Sequence, residues 1–498
     1  MNTEAMREVR ESEAAVVVST ALGRVRGTVC AGVQKFLGIR YGQAPVGDRR
    51  FRPPVPVAPW TGVLDATSFG PVSFQPYDAS VGHSPQEMSE DCLSLNIWAP
   101  THPGPYPVLV WIHGGGQTVG STRRAEYEGS HFARNGVVCV TVGYRLGALG
   151  FLELGEILGP SYRGSGNNAL RDVLLALRWV NEHIAEFGGD PTRVTVGGES
   201  AGAKNATTLA GVPEANALFH RLVICSGGAQ TVQPLSDAQA VARLVLKEAG
   251  LEPDQGAQLL KLSAPALLTA QESAAQRWPR RFAFRPVVDG DFFPAPLLDQ
   301  LASGTCLLRP MLIGTSREEC AISSAVLRAA SPPEKQELAH MTPEQFTAVE
   351  RRYAEVLPGL SASERRIRAL TAEEYWIPSL RLAERMAQRG AAVWMYRFDG
   401  IPSKTADIPA SHVADLPLWW GQQPARVEGA ISSDAGTASW MHTTLTAFIG
   451  DEDLTHRREA AAWPCYEHVR RAVQTLGRTV CTELDSLATE RALWEGAL

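Results

Sequence analysis

Val194-Thr195-Val196-Gly197-Gly198-Glu199-Ser200-Ala201-Gly202 decides how this 498-residue chain is read. A β-branched run with strand character meets Gly198-Glu199-Ser200-Ala201-Gly202 and continues into small residues suited to the start of a helix. Glycines on both sides of Ser200 leave room for a sharp strand-to-helix turn that pushes the hydroxyl into the open. The helix beyond aims its N-terminal N–H groups at charge that develops near that hydroxyl. With 45 glycines in the chain, Gly-x-Ser-x-Gly arises by chance in roughly one such chain in four. The pattern therefore counts only through its setting.

That setting is a succession of buried strands and amphipathic helices. Val108–Ile112, Val137–Val142, Val194–Val196, Leu222–Cys225, Met311–Ile313 and Val393–Phe398 read as strands covered on both faces. Asn168–Phe187 reads as a helix, because Leu170, Val173, Leu174, Leu177, Val180, Ile184 and Phe187 follow the 3.6-residue period before Gly188-Gly189 stop it. Strands alternating with helices predict an α/β fold: a central, mostly parallel, twisted sheet flanked by helices. In such sheets chemistry gathers where loops leave the carboxyl ends of the strands. No repeat or linker divides the chain, so a single domain over residues 13–498 is expected, after a disordered tail over 1–12.

Trp111-Ile112-His113-Gly114-Gly115-Gly116 closes another predicted strand. Three consecutive glycines are costly in backbone entropy unless bare N–H groups must approach a ligand oxygen. The pattern matches an oxyanion loop, whose partner is the residue after the nucleophile; Gly115, Gly116 and Ala201 are the expected donors.

A nucleophilic serine needs a base of near-neutral pKa, downstream of it in this order of elements. His340, His412, His442, His456 and His468 qualify. His456 lies among charged residues, and His442 and His468 lie in helix-like stretches. His412 stands in a loop beyond the strand Val393–Phe398, where a loop-borne base belongs. For the acid, the loop after Met311–Ile313 offers Glu318 and Glu319, and Asp289 is a further contender; spacing does not choose among them.

These residues, with Phe36–Tyr41, Ser89–Asn96, Tyr144–Phe151, Phe187–Pro191 and Trp463–Tyr466, make the sequence resemble the type-B carboxylesterases from about Val17 to Trp494. That family includes bacterial para-nitrobenzyl esterases, animal carboxylesterases and cholinesterases. The resemblance implies the α/β-hydrolase fold with inserted helical segments around an active-site gorge, and a serine carboxylesterase with no cofactor. It places the acid at Glu319 and the base at His412, with Ser226 and Glu199 in support. Phe282 and Phe284 align with acyl-pocket positions of relatives, and Trp419 and Trp420 are expected along the gorge wall. Val413 and Cys320 stand where the family often has glycine. Lys204 replaces a small residue one turn into the helix after Ser200, and an exposed position is expected for it. Ser73 stands where animal relatives have a cysteine that bridges the equivalent of Cys92. The segment Val81–Glu87 lacks the aromatic that holds choline in cholinesterases, which argues against that activity.

Composition agrees. A net charge of −6 and no basic run interleaved with aromatics argue against nucleic acid. No apolar run reaches membrane-span length, and no His-Glu-x-x-His or cysteine cluster suggests a metal. The eight scattered cysteines and the acid-interrupted start favour a cytoplasmic setting. A monomer or weak homo-oligomer acting on a small-molecule ester is the expectation. The rivals are a binding or adhesion member of the superfamily and an amidase or carbamate hydrolase working with the same residues.

Overall fold

Runs rich in Val, Ile, Trp and Tyr form the strands of one large sheet. The computed structural model describes residues 14–77, 82–229, 231–321, 323, 331–401, 409–422, 432–456 and 463–498; the expected tail over 1–12 lies outside them. Among the described residues the strands are β1 (Ala14–Thr20), β2 (Gly23–Cys30), β3 (Val33–Arg40), β4 (Val63–Asp65), β5 (Ser94–Pro100), β6 (Tyr106–Ile112), β7 (Val138–Val142) and β8 (Gly189–Glu199). There follow β9 (Arg221–Cys225), β10 (Gln233–Pro234), β11 (Val287–Val288), β12 (Met311–Ser316), β13 (Val393–Phe398), β14 (Ala472–Leu476) and β15 (Val480–Leu484).

Thirteen strands make the main sheet in the order β1-β2-β3-β5-β7-β6-β8-β9-β12-β13-β14-β15, with β4 beside β2; β10 and β11 form a separate parallel pair. From β7 through β14 every neighbouring pair is parallel, and antiparallel pairs flank this centre at both ends. Each predicted strand is present. The run at Val194 is longer than its apolar core suggested, because β8 begins at Gly189 and continues to Glu199.

Alternation along the strands fills two cores, one on each face. Val108, Val110 and Ile112 of β6 pack with Leu170, Val173 and Leu177 of the helix Asn168–His183. Leu109 and Trp111 face the opposite layer, where Met441, Leu445 and Phe448 come from the helix Ser432–Ile449. The predicted helix over 168–187 tightens into a 3₁₀ turn at Ile184–Phe187 and ends on Gly188, whose φ of +83° suits a glycine.

The parallel centre brings the carboxyl ends of β6, β8, β9, β12 and β13 to one edge. Gly198 of β8 pairs with Ile224, and Glu199 pairs with Cys225 at the end of β9. Ser316 at the end of β12 pairs with Phe398 at the end of β13. The residues that follow these ends, His113, Ser200, Ser226, Glu319 and His412, are thereby candidates for one site.

Candidate active site

Ser200 sits between β8 and the helix Ala201–Ala210 with φ +55° and ψ −122°, a conformation that L-residues rarely adopt. Close packing makes the turn possible. A Cβ at Gly202 would lie 1.9 Å from the Ile112 carbonyl oxygen, and one at Gly198 would lie 2.4 Å from the Gly202 backbone. The Ser200 N–H donates to the Cys225 carbonyl at 2.9 Å, which ties the turn to the neighbouring strand.

His412 Nε2 lies 3.0 Å from Ser200 Oγ, and its Nδ1 lies 2.6 Å from Glu319 Oε2. The other oxygen, Oε1, accepts from the Ser226 hydroxyl at 2.5 Å and the Ser316 N–H at 2.7 Å. Glu319 is thus fixed through Oε1 while Oε2 faces the imidazole. Glu318 shows no contact with His412 among the described residues, and its backbone N–H donates to the Ala410 carbonyl. Asp289 caps its own turn, accepting from Asp291 and Phe293 N–H groups, far from this chain of contacts in role. His442 is buried in its helix and contacts the Trp419 carbonyl, His456 is exposed, and His468 lies in a turn rather than the helical stretch expected for it.

A second carboxylate completes the surroundings. Glu199 Oε1 is 3.2 Å from His412 Nε2, and burial pushes the Glu199 carboxyl up to about 7. Burial works to lower the pKa of His412, but Glu199 and Glu319 outweigh it and lift the imidazole to about 9. On the other side of Ser200, Gly115 and Gly116 have φ of +120° and +60°, open to glycine and strained for other residues. The loop they belong to is propped by Tyr144, whose hydroxyl donates to the His113 carbonyl at 2.8 Å and whose ring stacks on His113. Burial holds His113 down at about 4, so it is neutral at ordinary pH.

Comparison with known proteins gives the family. The model of the carboxylesterase family matches residues 14–494. The chain belongs to the carboxylesterase family. This esterase is 34% identical to the para-nitrobenzyl esterase of Bacillus subtilis (strain 168) over 491 residues, covering 95% of this chain and 97% of that one. It is 32% identical to the fumonisin B1 esterase of Sphingopyxis macrogoltabida, covering 93% and 87%. A solved carboxylesterase of Geobacillus stearothermophilus superposes with a TM-score of 0.84 at 35% identity, covering 96% of this chain and 99% of that one. The esterase is an α/β-hydrolase that hydrolyses carboxylic esters.

Several expectations about the pocket need correcting. Trp419 and Trp420 are wholly buried core residues rather than gorge wall. Trp419 Nε1 donates to Asp415, and Trp420 packs edge-on against Trp111 and Phe132. Phe284 is likewise core, while Phe282 is half-buried and its ring would stand 3.2 Å from a Cβ at Gly116. Lys204 is not exposed: it is 4% accessible, with Nζ 3.4 Å from Glu374 Oε1.

Sequence reasoning missed Asp415, Glu374 and Tyr375. Tyr396 and Trp419 both donate to Asp415 Oδ2, and burial with nearby Glu319 pushes its carboxyl up to about 6. Tyr375 lies with its ring centroid 4.8 Å from that of His412. Only Asp415, three residues past the histidine, carried a local hint. Among the described residues no group of His, Cys, Asp and Glu side chains is arranged to hold a metal, and no helix is long and apolar enough to cross a membrane.

Proposed function

We propose that Ser200 is the nucleophile of this carboxylesterase, His412 its general base and Glu319 the acid that holds and stabilises the imidazolium. The observation that carries this reading is the unbroken line of contacts Glu319–His412–Ser200, at 2.6 and 3.0 Å, on a strained turn. His412 takes the hydroxyl proton as Oγ attacks the ester carbonyl. N–H groups of Gly115, Gly116 and Ala201 stabilise the tetrahedral oxyanion. The alcohol leaves with the histidine proton, and water then cleaves the acyl-enzyme by the reverse assignment of roles. Ser226 steadies Glu319, and Glu199 tunes His412. The half-buried Phe282 beside Gly116 supports a preference for short-acyl or aryl esters. The eight cysteines are all free, with buried Cys92 facing Ser73 rather than a bridging partner, which supports a reduced cytoplasmic setting. A net charge of −6 fits a protein that acts without nucleic acid, as a monomer or weak homo-oligomer.

Hydrolysis of para-nitrophenyl acetate and butyrate tests the assignment. Ser200→Ala is expected to lower turnover by roughly 10⁴–10⁶-fold while leaving the fold intact by circular dichroism. Turnover surviving in that variant would remove Ser200 from the mechanism.

A further inference from the structure

Behind Phe282 and Tyr375 lies a buried cationic group that the hydrolytic machinery does not use. Lys204 follows Ser200 by one helical turn, its N–H donating to the Ser200 carbonyl. Its Nζ lies 4.7 Å from the Phe282 ring centroid and 5.0 Å from that of Tyr375. One of these rings abuts Gly116 and the other abuts His412, so the ammonium stands beside the place where the ester carbonyl must lie.

The charges around it do not cancel. Glu374 is shared, because Arg281 Nη1 also donates to it at 2.7 Å. Glu373 is occupied by the N–H groups of Ala339, His340 and Met341. Arg285 donates through Nε to the Phe282 carbonyl and through Nη2 to the carbonyls of Arg281 and Ala339. Burial and neighbouring cations keep His340 neutral. Lys204 and Arg281 therefore share the Glu374 carboxylate, with the Arg285 guanidinium as a further positive charge nearby. Lys204 has three donors, and among the described residues only the long contact to Glu374 takes one. The two ring faces offset part of the ammonium's burial, but its remaining N–H groups have room for a ligand acceptor.

The surrounding backbone is built to hold this arrangement. Phe282 has φ +62°, an outlier for an aromatic residue, and is held there by Arg285. Glu374 and Tyr375 come from a π-helical segment, Ala372–Trp376, inserted between two α-helices. Strain and π-turns of this kind concentrate at functional sites.

We propose that Lys204 and Arg281 form a subsite for a carboxylate carried on the acyl group, so that monoesters of dicarboxylic acids are preferred substrates. The inference rests on the assignment of Ser200, His412 and Glu319 given above. The acyl side is indicated because the alcohol departs at His412 Nε2, where the Glu199 carboxyl stands 3.2 Å away and disfavours a second anion. Binding proceeds without a new bond: the substrate carboxylate accepts from Nζ and from the Arg281 guanidinium, and the ester is cleaved as before.

The test compares 4-nitrobenzyl hydrogen glutarate with 4-nitrobenzyl pentanoate, which differ by a carboxylate in place of a methyl, with succinate and adipate monoesters to cover reach. The parent should favour the glutarate, succinate or adipate monoester over its neutral counterpart by about tenfold or more in kcat/KM, mostly through KM. Lys204→Met should lower that ratio by about tenfold, to near one, and Arg281→Gln should lower it by less; added salt should lower it too. The Arg281 variant keeps the test open should the lysine variant fail to fold. Equal or better turnover of the neutral esters by the parent would overturn the subsite alone. A ratio unmoved in both variants would also overturn it, as would a preference seen only for carboxylated leaving groups such as 4-carboxybenzyl butyrate. Hydrolysis of neither class would overturn the assignment of the hydrolytic residues, and the subsite with it.

Discussion

His412 meets two carboxyl groups, and they have different consequences. Glu319 approaches Nδ1 at 2.6 Å and, in the mechanism proposed above, sets the tautomer that leaves Nε2 free to accept the serine proton. Glu318, its neighbour in sequence, lies outside this chain of contacts. Glu319→Gln is therefore expected to cost roughly 10³–10⁴-fold in kcat, and Glu318→Gln less than about threefold, both read with para-nitrophenyl butyrate. Sequence order alone leaves these two residues equal, the resemblance favours Glu319, and Ser226 and Ser316 hold the Glu319 carboxylate beside His412. Glu199 instead approaches Nε2 and raises the imidazole pKa. Catalysis needs the neutral base, so kcat/KM must rise with pH through the titration of the Glu199–His412 pair, and this limb belongs to both groups. Glu199→Gln removes a negative charge that favours the imidazolium. The histidine pKa then falls, and the acid limb of the pH profile moves to lower pH, by on the order of one unit. A limb that stays in place would show that Glu199 does not act on His412.

At the scale of the element, strand ends and the turn beyond β8 were legible because they depend on local rules. β-Branched runs, a 3.6-residue apolar period and paired glycines around Ser200 each act over a few residues. The pocket was not legible, because it depends on which face of an inserted segment turns inward. Nothing local distinguishes Trp419 and Trp420 as core, or shows that Ala372–Trp376 coils as a π-helix and brings Glu374 to Lys204. The turn after β13 carries a testable trace of such a conflict. Val413, where relatives often have glycine, adopts φ +67° immediately after His412. A β-branched residue pays about 1–2 kcal/mol for that conformation. Cys320, also at a position where relatives have glycine, has no positive φ and so needs none. Val413→Ala keeps the strain and loses packing, whereas Val413→Gly removes the strain. The glycine variant should be the more stable of the two by about 1 kcal/mol, the reverse of the usual order, as read by their thermal unfolding midpoints. An alanine variant more stable than the glycine variant would show that the turn is unstrained.

Across the whole molecule, the site depends on contacts that reach from one face of the sheet to its catalytic edge. The segment Tyr144–Phe151, a mark of the family, shows how. Arg145 donates through its N–H, Nε and Nη2 to Asp172 at 3.1, 2.8 and 2.7 Å, and through Nη1 to the Arg52 carbonyl. Both side chains are almost wholly buried, at 2% and 0% accessibility. Asp172 lies in the helix Asn168–His183, so the pair fastens that helix to the segment beyond β7. The same segment supports the glycine loop: Tyr144 holds the His113 carbonyl, and the Gly147 N–H donates to Gln117 at 2.7 Å. Asp172→Asn leaves the Arg145 charge buried without its counter-ion, a loss of roughly 3–5 kcal/mol. The exposed pair Arg26–Asp65 offers the control, since both partners are about half accessible and Asp65→Asn should leave the unfolding midpoint near that of the parent. The helix and the glycine loop share the segment that Arg145 anchors, so the effect on function should precede global unfolding. In Asp172→Asn, turnover of para-nitrophenyl butyrate should fall at temperatures where circular dichroism still reports the native sheet. Activity and fold lost together at one temperature would mean that the pair stabilises the protein without positioning its glycine loop.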